Sequence, residues 1–231
     1  MLTLASVDSF YGRSHILHGL SLVAEAGKVL AVLGRNGVGK TTLLKTILGL
    51  TDKLAGTIRL GDTDLSRAPT HERARAGIAY VPQGRQIIPD FTIRDNILMG
   101  GFAAASGSAG IPEIVRELFP YLIENLDRPG GVLSGGQQQQ LAIARALAAE
   151  PSVLLMDEPT EGIQPNIVAQ IEEAIVRLNK ELGLTVVLVE QNVRFAREGA
   201  DAFVMMENGR NVAAGPIAEL TDEIVGRHMT I

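Results

Sequence analysis

The sequence predicts an α/β protein: a mixed-sheet core with an antiparallel β portion near the N-terminus and an α-helical lobe inserted in the middle. Three observations carry this. Short, wholly apolar runs rich in β-branched residues, such as Val29–Leu33 and 186–189, have the length and character of strands buried on both faces. Such runs alternate with turn signals and helical segments over 1–83 and again over 151–231, the pattern of α/β units. Between them, 84–150 loses its strand character. The expected organisation is one domain over 1–231, with a core made of 1–83 and 151–231 and the lobe of 84–150.

The elements follow in order. Thr57-Ile58-Arg59 reads as a strand entering a turn at Leu60-Gly61-Asp62. Val29–Leu33 leads into a Gly-rich loop and a helix over 40–48 stopped by Gly49. In the lobe, Thr92-Ile93-Arg94-Asp95 has the form of a capping box, and Pro112 suits the first turn of a second helix. The Gly-, Ala- and Ser-rich stretch 101–110 between them reads as a mobile loop. A third helix is expected over 137–149, after Ser134-Gly135-Gly136, with most of Gln137–Gln140 on its solvated face. Then come a strand over 153–156 and a helix over Pro165–Leu182, with Ile167, Ile171, Ala174, Ile175, Leu178 and Leu182 on one stripe and Gly183 closing it. A buried strand at 185–189 and a hairpin of 202–206 with 211–214 across Asn208-Gly209 finish the pattern.

Composition narrows the function classes. The 231 residues are 46% hydrophobic and 20% charged, an ordinary globular balance. Twenty-one basic against 26 acidic residues leave a net charge of −5, which argues against a general electrostatic grip on nucleic acid. Aromatics are 4% with no Trp, too few for a base-stacking platform. Absence of Cys excludes disulfides, thiolate zinc and a cysteine nucleophile. The opening MLTLASVDSF has neither a basic nor a long apolar segment, so no signal peptide is expected, and no apolar run is long enough to cross a bilayer.

Gly34-Arg35-Asn36-Gly37-Val38-Gly39-Lys40-Thr41 fits G-x-x-x-x-G-K-[ST] between a buried strand and a helix. Its glycines let successive backbone N–H groups converge on a phosphate, and the helix start adds its positive dipole end. Lys40 is expected on the β- and γ-phosphate oxygens, the Thr41 hydroxyl on Mg²⁺, and Thr42 on the α-phosphate. The competing reading, a chance Gly-rich turn, is disfavoured by the flanking strand and helix. A phosphate loop needs an acid on a neighbouring strand, and Val153-Leu154-Leu155-Met156-Asp157 supplies one at the end where α/β folds bind ligands. Asp157 is the candidate Mg²⁺ holder. Glu158, pointing elsewhere, is the candidate base for a water attacking the γ-phosphate. Alone, four apolar residues before two acids would often be a strand end. Leu133-Ser134-Gly135-Gly136-Gln137 opens a helix that has no need of two glycines for stability, and a serine hydroxyl with bare amides there suits a second phosphate grip; a simple serine cap is the alternative.

With these three motifs the chain resembles the nucleotide-binding subunit of an ABC transporter over essentially its whole length. The resemblance implies a P-loop NTPase (RecA-like) core, and it identifies 34–42 as Walker A, 153–158 as Walker B with the catalytic glutamate, and 133–137 as the signature. It places Gln83, after Tyr80-Val81-Pro82, where the family has a glutamine that touches Mg²⁺ and the attacking water. It places Tyr11 where an aromatic stacks on adenine. Two positions depart from the common pattern. Gln191 stands where the family usually has a switch histidine, so it can hydrogen-bond a γ-phosphate but cannot titrate near neutral pH. Gln164 stands where a loop usually ends in Asp. The four histidines, His15, His18, His71 and His228, lie outside the motifs and read as surface or packing residues.

What the resemblance implies for partners is a head-to-tail dimer with a second ABC ATPase, in which Ser134, Gly135, Gly136 and Gln137 of one subunit cover the ATP held by the other. Two transmembrane permeases follow, contacted through 84–94 with Arg85, Ile87, Ile88 and Phe91, together with a solute-binding protein, on the cytoplasmic face of the membrane. Glu190-Gln191-Asn192 resembles the second ATPase of branched-chain amino acid importers and their kin. Val81-Pro82-Gln83-Gly84-Arg85, the run Gly135–Gln140 and Pro159–Pro165 look like the urea and short-amide importers, whose amino acid relatives tend to carry Glu at the position of Gln83. Against these stand a soluble ABC-type ATPase, which would bring coiled-coil insertions or tandem cassettes, and a nucleotide kinase, which would lack 133–137.

Overall fold

The computed structural model describes residues 1–104 and 110–229. Two antiparallel strands, β1 (Leu2–Tyr11) and β2 (Ser14–Ala24), open the chain, and β3 (Val29–Leu33) runs into α1 (Lys40–Ile47). After β4 (Lys53–Leu60) and β5 (Thr63–Asp64) come α2 (Thr70–Arg75) and β6 (Ile78–Val81). A purely helical stretch follows: α3 (Ile93–Gly101), α4 (Glu113–Leu118), α5 (Pro120–Glu124), one 3-10 turn and α6 (Gly135–Leu147). The chain then alternates through β7 (Val153–Asp157), α7 (Pro165–Leu182), β8 (Thr185–Glu190), α8 (Val193–Gly199), β9 (Ala202–Glu207), β10 (Arg210–Pro216), a second 3-10 turn and α9 (Asp222–Met229).

The strands form two sheets. One is antiparallel, in the order β2-β1-β4-β5; the other runs β10-β9-β3-β8-β7-β6, parallel from β9 to β6 with β10 antiparallel at its edge. Strand β3 sits between β9 and β8, so its apolar side chains are covered on both faces, as its wholly apolar sequence requires. Alternation splits the larger sheet cleanly. Val153, Leu155, Val187 and Val189 face α1 and the small sheet, whereas Leu154, Met156, Val186 and Leu188 face α3, α6 and α7. Helix α1 is thus buried between two sheets through Leu43, Leu44 and Ile47.

Several boundaries differ from the sequence reading. Helix α6 begins at Gly135 rather than 137. Ser134 caps it, its hydroxyl accepting from Gln137 N at 3.4 Å while Ser134 N donates to Gln137 Oε1 at 3.0 Å, a capping box that draws both glycines into the first turn. The glutamine run is only partly solvated: Gln137, Gln138 and Gln140 are half-buried, and Gln139 is buried. On α7, Ile171, Ala174, Ile175 and Leu178 form the buried stripe, but Leu182, in the last turn, is 54% exposed. Of the expected loop 101–110, the stretch 105–109 lies outside the described residues, and Gly101 belongs to the last turn of α3. The short helices α2 and α8 carry too few turns to show a periodicity.

Candidate functional site

Register brings the sequence-predicted residues together. In the parallel ladder Leu33 pairs with Glu190, Val189 with Asp157, and Met156 with Val81. The loops that leave these strand ends, beginning at Gly34, Glu158, Gln191 and Pro82, therefore emerge side by side at the C-terminal edge of the sheet, where open α/β folds bind ligands.

The loop between β3 and α1 is shaped by two glycines in particular. A β-carbon on Gly34 would stand 2.6 Å from the Met206 carbonyl oxygen and 2.9 Å from Val38 Cγ2, so only glycine lets the loop pass this close to β9. Gly39 has φ +105 as it hands the chain to α1, a conformation that disfavours any side chain. From the far side the β9–β10 turn braces the loop: Gly209 N donates to Val38 O at 2.9 Å. Arg35, Asn36 and Gly37 are exposed, and Val38 and Gly39 half-buried.

Lys40, at the first position of α1, curls back over this loop. Its ammonium donates to Gly34 O at 2.8 Å and Arg35 O at 2.9 Å, and stands 3.2 Å from Glu158 Oε1. Its side chain is 4% exposed and that of Glu158 is 8%, so the pair is almost fully desolvated. Glu158 is also bound by Gln191, whose Nε2 lies 3.0 Å from each carboxylate oxygen. Its backbone is left-handed at φ +45, an uncommon state for a non-glycine residue that clusters at functional sites.

Asp157 is fully buried beside this pair. It accepts from Thr41 Oγ1 at 3.2 Å and from Tyr80 OH at 3.1 Å. Burial raises its carboxyl above the usual carboxylate range, and Glu158 adds to the rise, while the two hydroxyls and Lys40 oppose it. Among the described residues no group of three or more His, Asp or Glu side chains could cage a metal. A hard oxygen pair, the Thr41 hydroxyl and the Asp157 carboxylate, fits Mg²⁺, which keeps waters and phosphate oxygens in the rest of its shell.

Ile16, Asn36, Gly37, Gly39, Lys40, Thr41, Thr42, Gln83 and Glu158 line one open cleft of about 440 Å³. Gln83 is exposed at its rim, its Nε2 donating to Glu161 Oε2 at 2.8 Å. Tyr11 ends β1 half-buried beside Thr42; burial raises its phenol, against the Thr42 hydrogen bond. Ser134, Gly135, Gly136 and Gln137 are absent from the cleft wall. Ser134 is exposed, and the Arg85 guanidinium lies against Gly135. Gln164 is the exposed N-cap of α7. The 84–94 segment is split: Ile87 and Ile88 are half-buried, Ile87 against the lobe's own core, while Phe91 is 40% exposed.

Sequence reasoning missed Ile16, Tyr80 and Glu190. Tyr80 carries no local signal: only the pairing of β6 with β7 sets it opposite Leu155, on the face that Asp157 shares two residues on. Ile16 comes from the other sheet, and nothing local marks it. His15 hydrogen-bonds Asp8 at 2.8 Å and stacks on Phe10, and His228 meets Glu207 at 3.2 Å, away from the cleft as expected.

The family model described as ABC transporter matches residues 17–161. The chain is similar to the high-affinity branched-chain amino acid transport ATP-binding protein BraG of Pseudomonas aeruginosa, at 41% identity over 213 residues, covering 92% of this chain and 91% of that one. It is also similar to the probable branched-chain amino acid transport ATP-binding protein LivF of Archaeoglobus fulgidus, at 34% identity, covering 96% and 94%. Among solved structures, an ATP-binding cassette in a dimeric post-hydrolysis state with ADP and Pi superposes with a TM-score of 0.79 at 26% identity, covering 94% of this chain and 99% of that one.

Proposed function

The chain belongs to the ABC transporter family and is an ATPase subunit; from that premise we propose that it powers an importer, by the residues gathered in the cleft described above. The observation that carries the reading is the buried Lys40–Glu158 pair, bound by the half-buried Gln191, next to the Thr41–Asp157 pair. The amides of 36–41, with Arg35 and Asn36 at the rim and Thr42 behind, receive the phosphates, and Tyr11 meets the adenine. Lys40 exchanges its carbonyl and Glu158 partners for phosphate oxygens. Released from Lys40, Glu158 takes the proton of the attacking water, while the Gln191 amide holds that carboxylate in place. Thr41, Asp157 and Gln83 would hold Mg²⁺, which would draw charge from the phosphates and favour attack at phosphorus.

Ser134–Gln137 stand outside the chain's own cleft. That supports the head-to-tail arrangement, in which they close over the nucleotide of a second ATPase subunit. Permease subunits would dock on the lobe, where Phe91, Met99, Phe102 and Val132 are exposed, Phe102 by 82%. Among the described residues no helix is long and apolar enough to cross a membrane, so the chain would sit at the membrane through those partners.

For the cargo, the two relatives named for branched-chain amino acid transport support that class at least as well as urea. Gln83, where such relatives tend to carry Glu, favours urea or a short amide. Uptake of labelled leucine and labelled urea by a strain lacking the gene separates the two, since only the true cargo should lose uptake. For the mechanism, Glu158→Gln should keep ATP binding and lower turnover about a hundredfold or more, leaving an ATP-closed dimer visible by size-exclusion chromatography. Unchanged kcat in that variant would remove Glu158 from the reaction.

A further inference from the structure

Glu190 ends β8 as a buried carboxylate, 3% exposed, in a strand otherwise made of Thr185-Val186-Val187-Leu188-Val189. Each of its oxygens binds a different loop. Oε1 accepts from Thr160 N at 3.2 Å and from Thr160 Oγ1 at 2.7 Å, in the turn that follows Glu158. Oε2 accepts from Gln191 N at 3.1 Å and Asn192 N at 3.3 Å, in the turn that leads to α8. All four donors are neutral, so burying the charge is not offset by a cation. A buried carboxylate is a costly way to fill this position of a sheet if packing were its purpose.

What the carboxylate does geometrically is close a ring. Glu158 and Thr160 lie two residues apart on one loop, Glu190 and Gln191 are adjacent on the next, and Gln191 Nε2 returns to both oxygens of Glu158. Glu158 N is itself tied to Val189 O at 2.9 Å, and its left-handed backbone needs such support to persist. We propose that Glu190 is a positioning residue for hydrolysis: its carboxylate clasps the 160 and 191 turns and thereby sets the Gln191 amide against the catalytic carboxylate. This rests on the reading of Glu158 and Gln191 given above. Neither Glu190 nor Thr160 lines the nucleotide cleft, so the clasp acts through Gln191 and Glu158, on the chemical step rather than on the grip on ATP.

Glu190→Gln tests it, because an amide keeps the size but offers one acceptor oxygen and turns an NH₂ toward one of the two donor sets. The purified chain, assayed with MgATP, should show kcat reduced ~10- to 100-fold with ATP affinity within about twofold of wild type, the pattern of a misplaced catalytic group. Combining Glu190→Gln with Gln191→Ala should cost no more than the larger single loss, because both act on one contact. Thr160→Val, which removes only the hydroxyl donor, should lower kcat several-fold in the same direction and carries the test if Glu190→Gln does not fold. Turnover within about twofold of wild type in Thr160→Val and in folded Glu190→Gln, or losses that multiply in the double variant, would overturn the proposal. Full turnover in Glu158→Gln and Gln191→Ala would instead overturn the catalytic reading beneath it.

Discussion

Asp157 illustrates what a buried carboxylate at the proposed Mg²⁺ site costs the fold. Burial raises its carboxyl above the unfolded value, so at neutral pH its charge disfavours the native state; as pH falls through the raised value, protonation removes the penalty. In nucleotide-free, Mg²⁺-free protein, Asp157→Asn should therefore raise Tm at neutral pH by a few degrees, on the order of that given by removing a buried unpaired charge. The gain should shrink in acid, and MgATP turnover should be lost. Calorimetry against pH checks the first part and a phosphate-release assay the second. At this scale the phosphate loop and the Asp157–Glu158 pair were legible, because their chemistry depends on spacing along one strand and turn. Tyr80, Ile16 and Glu190 were not, because their partners are set by strand register and by the packing of one sheet on the other.

At the scale of elements, the C-terminus of α1 is held by a side chain from another helix. Arg73, 3% exposed on α2, donates to Thr46 O at 2.9 Å, Ile47 O at 2.8 Å and Ala68 O at 2.7 Å. A guanidinium at a helix C-terminus answers both the last carbonyls and the dipole. Arg73→Met keeps the bulk but removes the donor to Ile47 O and Ala68 O, leaving Thr46 O with only the Gly49 N–H at 3.1 Å, and should lower stability by about 2–3 kcal/mol, read from urea unfolding. Element boundaries were legible where the caps were. Helix α7 was read to the residue because Pro165 opens it and Gly183, at φ +63, closes it. Helix α6 was read two residues late, because glycines in a first turn look like loop until the Ser134–Gln137 box is seen. Leu182 fits the α7 stripe by spacing, yet the helix ends where the core no longer covers it.

For the whole molecule, the sheets and clusters built here position a cleft that is open on one side and a lobe whose exposed apolar residues lie elsewhere. Phe91→Ser together with Phe102→Ser should leave the ATPase activity of the isolated chain within about twofold of wild type and abolish co-purification with its membrane subunits, as loss of apolar anchors does. An unchanged complex would move the docking face. The α/β class and the helical insertion were legible from alternation. The order of the strands was not, since wholly apolar strands look alike and nothing in them says which lies beside which. The cleft described here is the one assigned above to a triphosphate, so the cargo is read only indirectly in this chain, through the likeness at Gln83.

The strand order has a last consequence, for synthesis on the ribosome. Strand β3, which launches the phosphate loop, has β8 and β9 as its two sheet neighbours, and both leave the ribosome long after it. A growing polypeptide can finish its antiparallel N-terminal sheet early, but β3 stays without a hydrogen-bonded neighbour until β8, ending at Glu190, has been made. Such long-range pairing delays closure and leaves an apolar segment open to misassociation or chaperone capture meanwhile. The support of the loop that β3 launches thus waits for β8 and β9 to emerge.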